Sequence, residues 1–510
     1  MDVAIATNQS SRLPPSNLDT LAELFDAVSK LRASVEAESR QMTADWGQPI
    51  ERGSFAASAS NLADYLALRR RDLRSLQVSL MPWGISSLGR LESRVMPTLD
   101  AVVRTLSELV GREVSPSLPK RPSANSFFEG DMLLERNTDE VFGPPPHGRR
   151  ERIMATLPTE AATDYELVRD LVRCGADCLR INCAHDDQEI WTAMIANGRR
   201  AAADLGHEIR IDMDLAGQKP RIEEVKTPER RLASGDRLLL TSAELSAGMP
   251  AEFQARCTPS SIVAELEVEL EVSIDDGKVS SVVESRGEDW AILRITRAPQ
   301  KGKVLRSGLG LNFPGRIMNL PALTPKDVED LDFVAANADI VGYSFVQRRE
   351  DVALLQEELR RRGRLPALMA KIETAEAVRK LPEIIVQAAR HQPLAVMIAR
   401  GDLAVNIGYL RLAEIQEELM WLSEAAHVPV VWATQVLERL VQKGVPSRAE
   451  VTDAAMSERA ECVMLNKGPH ALDAVTLLDH LLHRMEKHQW KKVPMLRDLH
   501  AWDHDPAIHS

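Results

Sequence analysis

Aromatic residues make up only 4% of this 510-residue chain, and its five cysteines are few and odd in number. An odd, sparse set argues against a secreted disulfide framework. No stretch of 18 or more apolar residues occurs, which excludes a membrane-spanning helix. The N-terminus, MDVAIATNQSSRLPP, lacks the basic n-region and apolar h-region of a secretory signal. A cytoplasmic location is therefore expected. Positive charge is also in deficit: 63 Lys and Arg stand against 75 Asp and Glu, for a net charge of −12. A chain-wide grip on nucleic acid needs clustered positive charge and is not expected. A small anionic ligand needs only a local basic pocket and stays open. What is present is ordinary for a globular protein, with 44% hydrophobic and 27% charged residues. That is enough to bury a large core, and at roughly 150 residues per domain the length suggests about three domains.

The first 110 residues read as helical. Leu21, Leu24, Phe25, Val28, Leu31 and Val35 share one helical face. Leu62, Tyr65, Leu66, Leu73, Leu76 and Leu80 form a second stripe, broken by Pro82-Trp83-Gly84, and Val95, Leu99, Val102, Val103, Leu106 and Val110 form a third. Arg69, Arg70, Arg71 and Arg74 lie in the second stripe and read as a solvated face with Asp64 and Asp72 as ion-pair partners. Proline punctuates residues 111–148, which read as a connecting segment.

The chain then changes character. Eight short apolar runs alternate with helical patterns: 152–157, 178–183, 208–214, 340–345, 367–373, 395–400, 428–434 and 462–466. Runs this short are not separated from buried helix by periodicity, but their length and flanks favour strands. Eight repeated βα units point to a closed (β/α)8 barrel, an α/β fold, with a doubly wound open sheet as the alternative. The connection from Asp214 to Ile340 is far too long for one crossover. It contains β-like runs at 236–242, 279–285 and 290–296 and a turn signal at Asp275-Asp276-Gly277, so a small β-domain is inserted after strand three. The chain re-enters the barrel at 310–315, and Thr324-Pro325 starts the next helix. The expected boundaries are 1–148 for the helical region and linker, 149–220 with 305–490 for the barrel, 221–304 for the inserted domain and 491–510 for a tail.

A barrel carries its chemistry at the C-terminal ends of its strands. Those ends hold Arg180, Asn182 and His185 on strand two, then Asp214 followed by Arg221. Strand five ends in Lys371-Ile372-Glu373, strand six in Arg400-Gly401-Asp402, strand seven in Thr434-Gln435 and strand eight in Asn466-Lys467-Gly468. Glu373 and Asp402, on adjacent strands and without cysteine or histidine at ligand spacing, suit Mg2+ or Mn2+ rather than Zn2+. Lys371 and Glu373 are two apart on one strand and face one side. A lysine beside a divalent metal and an arginine can stabilise charge developing on a phosphoryl group.

The motifs AKIE (370–373), IARGDL (398–403), WATQVLERL (432–440), PSRAEVTDAA (446–455), LNFPGRIMNLPALTPKDVEDLDF (311–333), LRINCAHD (179–186), SIDDG (273–277) and YSFV (343–346) occur in the order of the pyruvate kinase family. Residues 150–485 resemble that family, whose barrel handles phosphoenolpyruvate and carries a mobile β-domain after its third strand. The resemblance implies Glu373 and Asp402 as Mg2+ ligands, Lys371 as the lysine that stabilises phosphoryl transfer, and Arg180 as the arginine on the transferring phosphate. It implies Gly401 and Asp402 as the backbone that holds the substrate carboxylate and Thr434 as the threonine involved in protonating the enolate. Asn182, His185 and Arg221 fall on the nucleotide side, and Asp276 matches a lid residue that approaches when the inserted domain closes.

Departures from the family pattern cluster on the nucleotide side. A family lysine is Leu309 here, and the SGET segment after strand eight has become Asn466-Lys467-Gly468-Pro469. The positions that hold K+ in activated members read Asn182, Ala184, Asp214 and Leu215, so two hydroxyls are gone, and Lys219 stands where those members have glutamate. A tethered ammonium can supply the field of a bound cation, so no K+ requirement is expected. No counterpart of the family's C-terminal effector domain is expected, and the N-terminal helical region resembles that of a pyruvate-kinase-like subgroup lacking that domain. The expected function is phosphoryl transfer from phosphoenolpyruvate to ADP, giving pyruvate and ATP, by a homo-oligomer with no nucleic-acid or membrane partner. Two other functions use the same site: a phosphoenolpyruvate-binding regulatory protein without catalysis, and a Mg2+-dependent lyase or aldolase acting on a pyruvate enolate. Cys174 and Cys178 read as buried thiols, and His500, His504 and His509 as part of a loosely held tail.

Overall fold

The computed structural model describes residues 18, 20–47, 50–111, 118–245, 251–275, 277–316 and 318–495. Asp276 and the histidines of the tail lie outside the described residues. The chain forms two compact units, one of residues 1–137 with 421–428, the other of 138–420 with 429–510. Among the described residues, no helix is long and apolar enough to cross a membrane.

The first unit is helical, as its three apolar stripes require. Helix Leu21–Asp45 starts in a capping box, with Thr20 accepting from the Glu23 amide and Glu23 reaching back to the Thr20 amide, and it buries Leu24, Phe25, Val28, Leu31 and Val35. The second stripe is split into helices Ala56–Arg69 and Arg74–Leu80, and Pro82 sits in the turn that follows. Helix Val95–Leu109 buries Val95, Leu99, Val102, Val103 and Leu106. The arginine cluster is paired, with Asp72 as the sequence suggests but with Glu38 in place of Asp64. Arg74 binds Asp72, whereas Arg70 and Arg71 reach Glu38 across the unit. Asp64 is buried instead, which pushes its pKa up to about 6. The segment read as a linker contains helix Glu129–Phe142; its flanking prolines obscured a sound apolar stripe.

The second unit is a closed parallel barrel of β1 (Arg152–Thr156), β2 (Cys178–Asn182), β3 (Arg210–Asp214), β4 (Ile340–Tyr343), β5 (Ala367–Ile372), β6 (Leu394–Ala399), β7 (Val430–Ala433) and β8 (Cys462–Leu465). Strand order is β1-β8-β7-β6-β5-β4-β3-β2, so every one of the eight apolar runs is a barrel strand. Continuous burial on both faces explains why these strands read as unbroken apolar runs. Helices follow the strands, and the third barrel helix, Pro325–Asn337, starts in a Thr324–Asp327 capping box.

After β3 the chain builds a seven-stranded sheet in the order Leu311–Asn312, Glu271–Ile274, Val279–Arg286, Trp290–Arg297, Arg237–Thr241, Phe253–Thr258 and Arg221–Lys226. The sheet reaches further than residue 304. Leu311–Asn312, read as barrel re-entry, pairs antiparallel with Ser273–Ile274, and Leu305, Leu309, Phe313 and Met318 pack into the inserted domain's core. At the other end, Gln489–Trp490 and Val493–Pro494 form a small hairpin where a tail was expected to start. Its Trp490 ring lies 4.2 Å from the Arg150 guanidinium carbon.

Candidate active site

The parallel register brings the charged strand ends together. Arg180 stands opposite Asp212, and Asn182 opposite Asp214. Asp214 is the hub of the site. Its Oδ2 accepts from Arg180 Nε at 3.1 Å and from Lys371 Nζ at 3.0 Å, and Arg180 Nη2 closes a further short contact on it. Lys371 also donates to Ser344 Oγ at 2.7 Å and lies 3.6 Å from Glu373 Oε1, while Arg180 Nη1 donates to Thr156 Oγ1 at 3.2 Å. Room for the Asp214 carboxylate is made on β4 by Gly342, where a Cβ would lie 2.5 Å from Asp214 Oδ1. The network is buried, with Arg180 8%, Lys371 8%, Glu373 3% and Asp214 1% exposed, so charge is felt strongly within it.

That burial sets the ionisation of the site. Burial pushes Glu373 up to about 7, with the nearby charges of Asp402 and Asp214 adding to it, and Lys371 and the Phe345 amide opposing. The Phe345 N–H donates to Glu373 Oε2 at 2.6 Å. Burial works against the charge on Lys371, yet Asp214 and Glu373 outweigh it and hold the ammonium above its ordinary pKa. Asp214 is likewise desolvated, and Lys371 and Arg180 together hold it below the usual carboxylate range. Asp212 has no cation of its own within hydrogen-bond reach; burial and the Asp214 charge push it well above that range.

Asp402 and Gly401 lie in the first turn of helix Arg400–Ile407, directly after β6. The Gly401 amide donates to Thr434 Oγ1 at 2.7 Å, and Lys219 Nζ reaches Asp402 Oδ1 at 2.6 Å. Asn406 Nδ2 ties the carbonyls of Glu373 and Asp402 together, at 3.0 Å each. Thr434 follows β7 with φ at +65°, a left-handed conformation that a β-branched residue rarely adopts without functional reason. Arg400 braces it, donating to the Ala433 carbonyl at 2.9 Å and the Thr434 carbonyl at 2.7 Å while paired with Asp453. Lys219, Gly401, Asp402 and Thr434 line a pocket of about 450 Å³.

Asn182, His185 and Arg221 are separate from this buried network. Asn182 Oδ1 accepts from the Ala184 amide at 3.1 Å, and Arg221 donates to the Gly308 carbonyl at 3.1 Å from the first residue of the inserted sheet. His185 is held below its ordinary pKa by partial burial and by the charges of Lys467, Arg221 and Arg180, with Asp186 opposing. Leu309 is buried in the inserted domain's core, and Asn466 turns its amide onto Glu438 Oε2 at 3.0 Å. Cys178 is buried beside Cys462, and among the described residues no group of three or more His, Cys, Asp or Glu side chains is set to hold a metal.

Strand-end reading missed Ser344, Asn406 and the hub role of Asp214. The signals were there: Asp212 and Asp214 alternate on β3, so both face inward, and a glycine within strand β4 marks a close approach.

Comparison with known proteins agrees with this geometry. Residues 148–471 match the family model described as pyruvate kinase, barrel domain. A pyruvate kinase of Mycobacterium intracellulare is 30% identical over 354 residues, spanning 68% of this chain and 72% of that protein. One of Methylorubrum extorquens is 32% identical over 346 residues, spanning 66% and 69%. The crystal structure of a pyruvate kinase from Cryptosporidium parvum superposes with a TM-score of 0.58 at 26% identity, over 68% of this chain and 72% of that one. With a family-model match over residues 148–471 and relatives of 30% and 32% identity, the chain belongs to the pyruvate kinase family.

Proposed function

We propose that the protein is a pyruvate kinase, transferring the phosphoryl group of phosphoenolpyruvate to ADP and protonating the resulting enolate to pyruvate. The observation that carries this reading is the buried pair Arg180 and Lys371, both resting on Asp214 Oδ2. Two converging cations of fixed geometry can hold phosphoryl oxygens and stabilise the charge that builds on them during transfer. Asp214 keeps both charged and placed before substrate arrives.

Glu373 and Asp402 fit a divalent cation. They are hard oxygen donors, and Glu373 is pushed toward neutrality at about 7 partly by the Asp402 charge, a repulsion that a cation between them relieves. Mg2+ or Mn2+ bound by Glu373 and Asp402 would neutralise charge on the phosphoryl oxygens. The first turn of helix Arg400–Ile407 offers the Asp402 amide to the substrate carboxylate, the Gly401 amide being engaged on Thr434 Oγ1. Because Thr434 Oγ1 accepts from the Gly401 amide, its own proton is directed elsewhere, and we assign it to carbon 3 of the enolate. The bond between the enol oxygen and phosphorus breaks as the bond to the terminal ADP oxygen forms, and carbon 3 of the enolate then takes the Thr434 hydroxyl proton, which solvent water replaces.

On the nucleotide side, Asn182, His185 and Arg221 face the ADP phosphates, and Lys467 supplies the charge that Leu309 lacks. Lys219, already on Asp402 at 2.6 Å, supplies the positive field for which activated relatives need K+. Cytosolic activity as a homo-oligomer belongs to the same reading. A lactate-dehydrogenase-coupled assay tests it: NADH oxidation should require phosphoenolpyruvate, ADP and Mg2+ together. Phosphoenolpyruvate binding with neither ADP binding by calorimetry nor turnover would establish a regulatory binding protein instead. Turnover of phosphoenolpyruvate or pyruvate without nucleotide would establish the lyase.

A further inference from the structure

The two chain connections between the inserted domain and the barrel run side by side. The outgoing one passes from β3 through Gln218, Lys219 and Pro220 into strand Arg221–Lys226, and the returning one passes through Gly308, Leu309 and Gly310 to Leu311. They are hydrogen-bonded to each other. The Leu311 amide donates to the Pro220 carbonyl at 2.7 Å, the Ile222 amide to the Leu309 carbonyl at 2.8 Å and the Gly308 amide to the Ile222 carbonyl at 2.7 Å. A rotation of the inserted domain against the barrel has to bend this pair, which makes it the hinge.

Lys219 crosses the hinge. Its side chain lies against Gly310, where a Cβ would come within 2.6 Å of Lys219 Cε and 3.2 Å of Nζ, so the glycine is what lets the lysine pass. Beyond it the ammonium ends on the barrel, at 2.6 Å from Asp402 Oδ1, with the two side chains 11% and 19% exposed. A charge-assisted hydrogen bond of that length, mostly out of water, is worth more than a surface ion pair. One contact therefore joins two parts of the molecule. A carboxylate that would bind a divalent cation already carries a positive charge on one oxygen, and that charge is anchored in the hinge of the inserted domain.

We propose that Lys219 is an internal occupant of the divalent-cation seat, holding Asp402 in the metal-free protein and giving it up when the metal binds, so that metal loading frees the hinge. The proposal rests on the reading of Glu373 and Asp402 as metal ligands. A dication drawn to Asp402 meets the ammonium a few ångströms away, where little water screens the repulsion. Coupling of this kind is reciprocal: whatever Lys219 costs the metal in affinity, the metal costs the Lys219–Asp402 contact. The released ammonium stays tethered beside the site, so its positive field is kept.

Mn2+ binding to the full chain without substrates, followed by paramagnetic resonance, tests the competition. Lys219→Met keeps the length and removes the charge, and it should bind Mn2+ about tenfold more tightly than the parent. Lys219→Arg keeps charge and reach and should stay within about threefold of the parent. Lys219→Gln repeats the neutral comparison if Lys219→Met folds poorly. Hydrogen exchange read by mass spectrometry tests the linkage. In the parent, saturating Mn2+ should speed exchange over residues 215–222 and 308–312, whereas in Lys219→Met both segments should exchange fast with or without the ion. Equal Mn2+ affinity in the parent and the neutral variants overturns the proposal and leaves the metal reading standing. So does hinge exchange that Mn2+ leaves unchanged in the parent. Mn2+ binding that Glu373→Gln leaves intact places the ion elsewhere, which overturns the metal reading and the proposal with it.

Discussion

Replacing Lys371 by methionine tests the centre of the mechanism. The side chain is 8% exposed and its ammonium makes three contacts, at 3.0 Å to Asp214, 2.7 Å to Ser344 and 3.6 Å to Glu373. Methionine matches its length and removes its charge. Two effects follow, and their sizes separate them. Breaking one member of a buried ion network costs about 3–5 kcal/mol when the partner is stranded. Here Asp214 keeps Arg180, so the loss of stability should fall at or below the lower end of that range. The effect on turnover should be larger, because the lysine faces charge that develops only in transfer: removing a preorganised donor of this kind costs about 100- to 1,000-fold in kcat. The coupled assay at saturating substrates gives kcat, urea unfolding gives stability, and Mn2+ paramagnetic resonance reports whether the metal half still binds. A folded variant with kcat within threefold of the parent would refute the assignment. A large loss of kcat with Mn2+ binding retained supports it.

Glu373→Gln should raise the Mg2+ concentration for half-maximal activity about tenfold or more, by removing one of two protein carboxylates; an unchanged Mg2+ titration counts against that ligand set. Lys219→Glu should depress activity in K+-free buffer and make it responsive to added KCl, whereas a parent enzyme stimulated tenfold by K+ at fixed ionic strength would contradict the role given to the Lys219–Asp402 pair. Glu458 is buried, neither of its oxygens has a hydrogen-bond partner, and burial together with Glu151 pushes its pKa up to about 8. A carboxyl raised in the fold stabilises below its unfolded pKa and loses that contribution as pH rises through the folded value, so Glu458→Gln should match the parent near pH 4 and gain a few kcal/mol, of order 3, by pH 8.5. A difference in urea midpoints that does not change with pH would show that the carboxyl titrates normally.

The barrel was legible because each strand is buried on both faces and so appears as an apolar run with a polar residue at its end. The inserted sheet was only half legible. Arg237–Thr241, Val279–Arg286 and Trp290–Arg297 carry enough β-branched and apolar residues to be seen, but Arg221–Lys226 is RIEEVK, with a burial pattern that alternates only partly. Phe253–Thr258 breaks its apolar character with Gln254 and Arg256, and Leu311–Asn312 is too short to carry a period. These strands exist because neighbours complete their hydrogen bonding, a property of the sheet and not of the segment. Helix Glu129–Phe142 was lost for the opposite reason: strong breakers on both sides hid a sound local pattern. Arg71 found Glu38 and not Asp64 because the partner was set by helix packing, which no spacing rule along one helix contains.

The site shows the same division between what a residue is and what its neighbours make of it. Residue type and strand position mark Arg180, Lys371, Glu373, Asp402 and Thr434 as candidates. They were silent on the state in which each is held. Lys371 and Arg180 are both drawn to one oxygen of Asp214, so on the proposed reading the carboxylate of the protein occupies the place that a phosphoryl group would take over. Asp212, one pleat below, is buried without a hydrogen-bond partner while Asp214 takes both cations. Arg180 therefore has the Asp212 carboxyl group at 4.0 Å on the side away from Asp214. The cations are preorganised by partners that a substrate can compete with, which places the cost of assembling the site in the folding of β2, β3 and β5 and not in the reaction. Only the register, Arg180 opposite Asp212 and Asn182 opposite Asp214, makes that argument possible.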